Sequence, residues 1–61
     1  MQIRTTDGSV IANVAGTFED AYTIALHFWA IAGAEGVHMD GLQITEAGKI
    51  ILEINYTTHE R

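Results

Sequence analysis

Hydrophobic and polar residues alternate at both ends of this chain and recur at helical spacing in its middle. From Met1 to Thr6, the residues Met1, Ile3 and Thr5 fall on one side and Gln2, Arg4 and Thr6 on the other; Ser9 to Ala15 alternates again. A period of two marks half-buried strands. Asp7-Gly8 between them predicts a two-residue type I′ turn, because this dipeptide tolerates positive φ at both positions. That turn pairs Thr5 with Val10, Ile3 with Ala12 and Met1 with Val14 on one apolar face. It sets Gln2 against Asn13 and Arg4 against Ile11 on the other.

A second hairpin is expected near the C-terminus. Leu42-Gln-Ile44 alternates, and Glu46-Ala-Gly48 fits a three-residue loop with Gly48 in the left-handed position. Pairing Thr45 with Lys49 sets Ile44 opposite Ile50 and Leu42 opposite Leu52. Ile54 and Tyr56 extend this face, with Ile51, Glu53 and Asn55 outside. Val37 to Gly41 reads as an approach loop.

Between the hairpins lies one helical pattern. Thr17 is a good N-cap, and Asp20 three residues on makes a variant of the capping box; Glu19 and Asp20 also suit the positive end of the helix dipole. Phe18, Tyr22, Ala25, Trp29 and Ala32 form the core stripe, flanked by Ala21, Phe28 and Leu26. Gly33 and Gly36 end the helix. The order β-β-α-β-β predicts an α+β, β-grasp-like domain over residues 1–57. Its four-stranded mixed sheet has order 2-1-4-3, with first and last strands parallel beneath the helix. Residues 58–61 are expected to form a flexible C-terminal tail.

At Asp7-Gly-Ser9 and Ala15-Gly-Thr-Phe-Glu-Asp-Ala21 the chain resembles the immunoglobulin-binding domains of bacterial protein L. Gly16, Thr17, Phe18, Glu19, Ala21 and Ala25 match in place, and Gly48 falls in the corresponding loop of the second hairpin. These motifs are cap and turn chemistry, so the resemblance implies a fold first. In the family, light-chain binding uses the outer edge of the second strand and the start of the helix. The resemblance implies Ile11, Asn13, Ala15, Thr17 and Asp20 as the corresponding surface.

Composition narrows the function. The formal net charge is −5, and the three cations Arg4, Lys49 and Arg61 are scattered, so no cluster exists to neutralise nucleic-acid phosphates. No apolar run approaches the roughly 18 to 20 residues of a membrane span, and no basic-then-apolar leader is present. With no cysteine, neither a disulfide nor a thiolate is available. His27, His38 and His59 show no recognised metal spacing, although His38-Met-Asp40 offers two ligand types. The carboxylates are dispersed, and no serine has an evident histidine partner. The expectation is a non-enzymatic domain without cofactor or metal. The compartment stays open, with host-cell cytoplasm the expectation.

What stands out is the far side of the helix. Ile24, His27 and Ile31 lie away from the core stripe and join it through Phe28, where a surface helix would carry Lys, Glu or Gln. Charged residues make up only 18% of the chain, so few charges are available to cover this side. The expected function is protein binding through Ile24, His27, Phe28 and Ile31 and/or the second-strand edge, with a second copy as a natural partner. A small acidic phage-type inhibitor, or an immunoglobulin-binding or engineered protein L-like domain, are the alternatives. The outer sheet face (Gln2, Arg4, Ile11, Asn13, Ile51, Glu53 and Asn55) reads as an ordinary solvated surface.

Overall fold

The computed structural model describes residues 1–59. Strands β1 (Gln2–Thr5) and β2 (Val10–Asn13) form the first hairpin. Helix α1 (Phe18–Ala34) follows, then the second hairpin of β3 (Gly41–Glu46) and β4 (Lys49–Asn55). The α+β, ββαββ architecture is as expected, and one face of the four-stranded sheet packs on the helix.

The strand order corrects the expectation. It is β2-β1-β3-β4, not 2-1-4-3, and every neighbouring pair is antiparallel. Thr5 faces Leu42 and Ile3 faces Ile44 across the central β1–β3 pair. The centre goes to the strand that can be buried on both faces. Leu42 and Ile44 of β3 are fully buried beneath the helix, and Gly41 and Thr45 on the opposite face are buried too. The charged β4, with Lys49 and Glu53 exposed, takes the edge.

Both hairpins depart from their expected registers. In the first, Gln2 faces Asn13 and Ile3 faces Ala12 as expected, but Arg4 then faces Val10, so Ile11 is the extra residue of a bulge. The Thr5 N–H donates to the Ser9 carbonyl at 2.9 Å and the Gly8 N–H to the Thr5 carbonyl at 3.0 Å, which closes a three-residue loop. Only Gly8 has positive φ there (94°). The Asp7 carboxylate causes this, by accepting from the Thr5 hydroxyl and from the Ser9 N–H at 3.0 Å. In the second hairpin Glu46 faces Lys49 across a two-residue turn. Ala47 (φ 51°) and Gly48 (φ 80°) both have positive φ, the type I′ signature. A bulge at Ile51 shifts the register again, so Ile44 faces Leu52 and Leu42 faces Ile54. Ile50, expected inside, faces Thr45 on the outer side and is half exposed.

The helix begins as expected. The Thr17 hydroxyl accepts from the Asp20 N–H at 3.3 Å, and Asp20 Oδ2 accepts from the Thr17 N–H at 3.1 Å. A Cβ at Gly16 would lie 2.5 Å from that same Asp20 oxygen, so the capping box needs glycine beside it. The helix end corrects one detail. Gly33 lies inside the helix, and the left-handed residue is Gly36, whose N–H donates to the Gly33 carbonyl while the Val37 N–H donates to that of Ala32.

Ala21, Ala25, Trp29 and Ala32 are the buried helix residues. The small alanines let the helix lie close over β3, with β1 and β4 also beneath it. The core is completed by Ile3, Val14, Leu42, Ile44 and Ile54. Phe18, expected in the core stripe, is instead exposed and stacks on Tyr22 with ring centroids 5.9 Å apart.

Candidate functional site

The helix lies off-centre on its sheet. Its Tyr22 and Trp29 flank reaches the segment that follows β4. Trp29 packs against Tyr56 (ring centroids 5.1 Å apart), its Nε1–H donates to the His59 carbonyl at 3.3 Å, and the Tyr22 hydroxyl lies 2.7 Å from His59 Nε2. Beneath the opposite flank the helix makes no close backbone approach to β2. Ile24, Phe28 and Ile31 occupy that flank, because steps of four and seven residues return to one side of a helix.

The four residues expected on the outer helix face separate into two kinds. Phe28 is half-buried and packs against the core, whereas Ile24 and Ile31 are 38% and 40% exposed and His27 is exposed beside them. The two isoleucines stand two turns apart, about 10 Å along the axis. No lysine or arginine lies on the helix; its two acids are in the first turn. The ridge is therefore apolar and uncharged over its middle.

The second expected surface is less continuous. Asn13, Ala15, Thr17 and Asp20 are exposed, but the side chains of Thr17 and Asp20 are engaged with the helix cap. Ile11, expected on the outer face, packs against the core, because the bulge turns it inward. β2 is an edge strand as expected. It is nonetheless only four residues long and bulged, and both features blunt an edge against strand addition.

His38 Nε2 and Asp40 Oδ1 form an exposed pair at 2.9 Å. Among the described residues no group of three or more His, Asp or Glu side chains could hold a metal ion. Among the same residues no helix is long and apolar enough to cross a membrane.

Sequence reasoning missed two features. Thr58 and His59, assigned to a flexible tail, are fastened: the Asn55 side chain accepts from the Thr57 and Thr58 N–H groups, and His59 meets Tyr22 and Trp29. The other two residues of the expected tail, Glu60 and Arg61, lie outside the described residues. The Asn-x-Thr-Thr run after the last strand was the available signal, since Asn readily closes such turns. The second is Arg4, whose Nε is buried without a hydrogen-bond partner among the described residues; an alternating pattern holds no sign of that. The chain matches no protein-family model, no curated protein and no solved structure.

Proposed function

We propose that this domain is a non-enzymatic protein-interaction module whose contact surface is the Ile24–Phe28–Ile31 flank of the helix, and that a second copy of the chain is its partner. The observation that carries this reading is the pair of half-exposed isoleucines on a helix flank without cations. Complete burial of an isoleucine contributes about 1.5 to 3 kcal/mol. With roughly two-fifths of each side chain exposed, covering one adds about 1 kcal/mol. Four isoleucines in a two-fold dimer add about 4 kcal/mol, which is no more than the low end of the cost of association. The self-association is therefore weak, with Phe28 and the uncovered side of β2 extending the contact.

Sedimentation equilibrium at millimolar concentration tests this. The expected result is a concentration-dependent rise from the 6.7 kDa chain mass toward twice that value, abolished by Ile31→Asp. A single 6.7 kDa species throughout, or an association unchanged by Ile31→Asp, sinks the reading.

A further inference from the structure

His27 stands in the middle of the helix flank, exposed, with Ile24 one turn before it and Ile31 one turn after. No described side chain bonds to its ring. Ile24 and Ile31 are equally far from the peptide bond between His27 and Phe28, so the flank is symmetric about that point. A copy turned end for end about a two-fold axis there presents the same pattern, and Ile24 of each chain meets Ile31 of the other. A flank that is its own complement in this way is matched, position by position, by a second copy of the chain.

The same symmetry sets where the rings go. At 100° per residue, His27 points about 50° to one side of the mean direction of the two isoleucines and Phe28 about 50° to the other. A two-fold axis keeps each on its own side. Phe28 therefore meets Phe28 along one edge of the contact, and His27 meets His27 along the other. At an interaxial distance of roughly 8 to 10 Å the two His27 Cβ atoms are about 5 Å apart. Histidine is the side chain whose charge changes between about pH 5 and 8. Two neutral imidazoles fit side by side in such a contact, whereas two imidazolium ions repel and each loses its water.

Among the described residues no carboxylate is placed to offset that charge. Along the helix the nearest acids are Asp20 and Glu35, about 10 and 12 Å away on the axis. In the two-fold arrangement Asp20 of each chain lies level with Glu35 of the other, acid against acid. β2 has no charged residue. On the strands beneath the helix, Arg4 and Glu53 lie on the far face of the sheet, and Glu46 and Lys49 flank the second turn. His38 and Asp40 pair with each other beyond the end of the helix.

We infer, taking the helix flank as the self-contact proposed above, that this contact is gated by pH: it forms while both His27 rings are neutral and parts when they gain protons. The single chain binds protons that the dimer excludes, so association is complete above the ordinary histidine range and is lost as pH falls through it. The net charge of −5 acts in the opposite sense, since acidification lessens it and with it the repulsion between chains. A loss of dimer on acidification is therefore the signature of the histidine pair.

Sedimentation equilibrium of the full chain at millimolar concentration and fixed salt, at pH 7.5 and 5.5, tests this; both values lie above the ordinary carboxylate range. The association constant should fall about a hundredfold between them, one decade for each histidine, which leaves the 6.7 kDa chain alone at pH 5.5. His27→Gln should associate equally at both values, and its association at pH 5.5 also shows that acid has not unfolded the domain. His27→Lys, with a fixed charge, should associate at neither. Equal or stronger association of the unaltered chain at pH 5.5, or a pH dependence that survives His27→Gln, overturns the gate and leaves the helix contact standing. A single 6.7 kDa species at both values, for the unaltered chain and for His27→Gln alike, removes the helix contact itself and the gate with it.

Discussion

The two hairpins exchange the turns that their sequences suggest. Asp7-Gly8 has the composition of a two-residue type I′ turn and closes a three-residue loop; Glu46-Ala-Gly48 suits a three-residue loop and closes a two-residue turn. The difference lies in one side chain. Asp7 has a carboxylate that reaches the Thr5 hydroxyl and the Ser9 N–H, and those bonds hold its own backbone at negative φ. Ala47 has nothing to bond with, so its backbone follows the twist of the strands into positive φ. Local hydrogen bonding decided the first turn and strand pairing the second.

The largest expected effect separates inner from outer positions in the second hairpin. Ile44→Ala should cost about 2 to 5 kcal/mol, enough to bring a small domain close to unfolding, whereas Ile50→Ala should cost under about 1 kcal/mol. Urea denaturation followed by circular dichroism measures both. Equal losses would restore the register in which Ile50 belongs to the core.

A smaller effect distinguishes the turns themselves. Ala47→Gly removes a left-handed alanine and should raise stability by about 0.5 to 1 kcal/mol, after the extra freedom of glycine in the unfolded chain is counted. Asp7→Gly should lower stability, because Asp7 is not in the left-handed region and loses its bonds to Thr5 and Ser9. A gain in stability at both positions would mean that both turns are of the two-residue kind.

The smallest effect is one of pH. The hydrogen bond from the Thr5 hydroxyl, then those from Ser9, hold the Asp7 carboxyl below the ordinary aspartate value. A depressed pKa means that the fold favours the charged form. Its contribution is complete above the ordinary aspartate pKa and is lost as pH falls through the folded value. Urea midpoints measured from neutral to strongly acid pH should therefore fall slightly less for Asp7→Asn than for the unaltered chain. Parallel curves would remove Asp7 as the cause of the loop.

Most of the local structure was legible in the chain. Thr17 and Asp20 announce the capping box, Gly36 marks the left-handed exit, and the period of two locates both hairpins. The candidate surface was legible in part. Ile24 and Ile31 lie exposed because nothing in their helical phase brings them toward the sheet. Ile11 and Ile50 misled because a bulge lies beside each: Ile11 is itself the extra residue and turns inward, and Ile50, between the two-residue turn and the bulge at Ile51, stays on the outer face opposite Thr45.

By itself the sequence determined the elements, their caps and the side of the helix that carries alanines and Trp29, because those follow from neighbours within a few positions. The order of the strands, the two bulges, the fastening of His59 to Tyr22 and Trp29, and the burial of the Arg4 Nε without a partner among the described residues were decided only in the tertiary structure. Each depends on residues far apart in the chain competing for one space. β3 stands beside β1 because its Leu42, Ile44 and Thr45 can be buried on two faces at once, and β4, carrying Lys49 and Glu53, cannot.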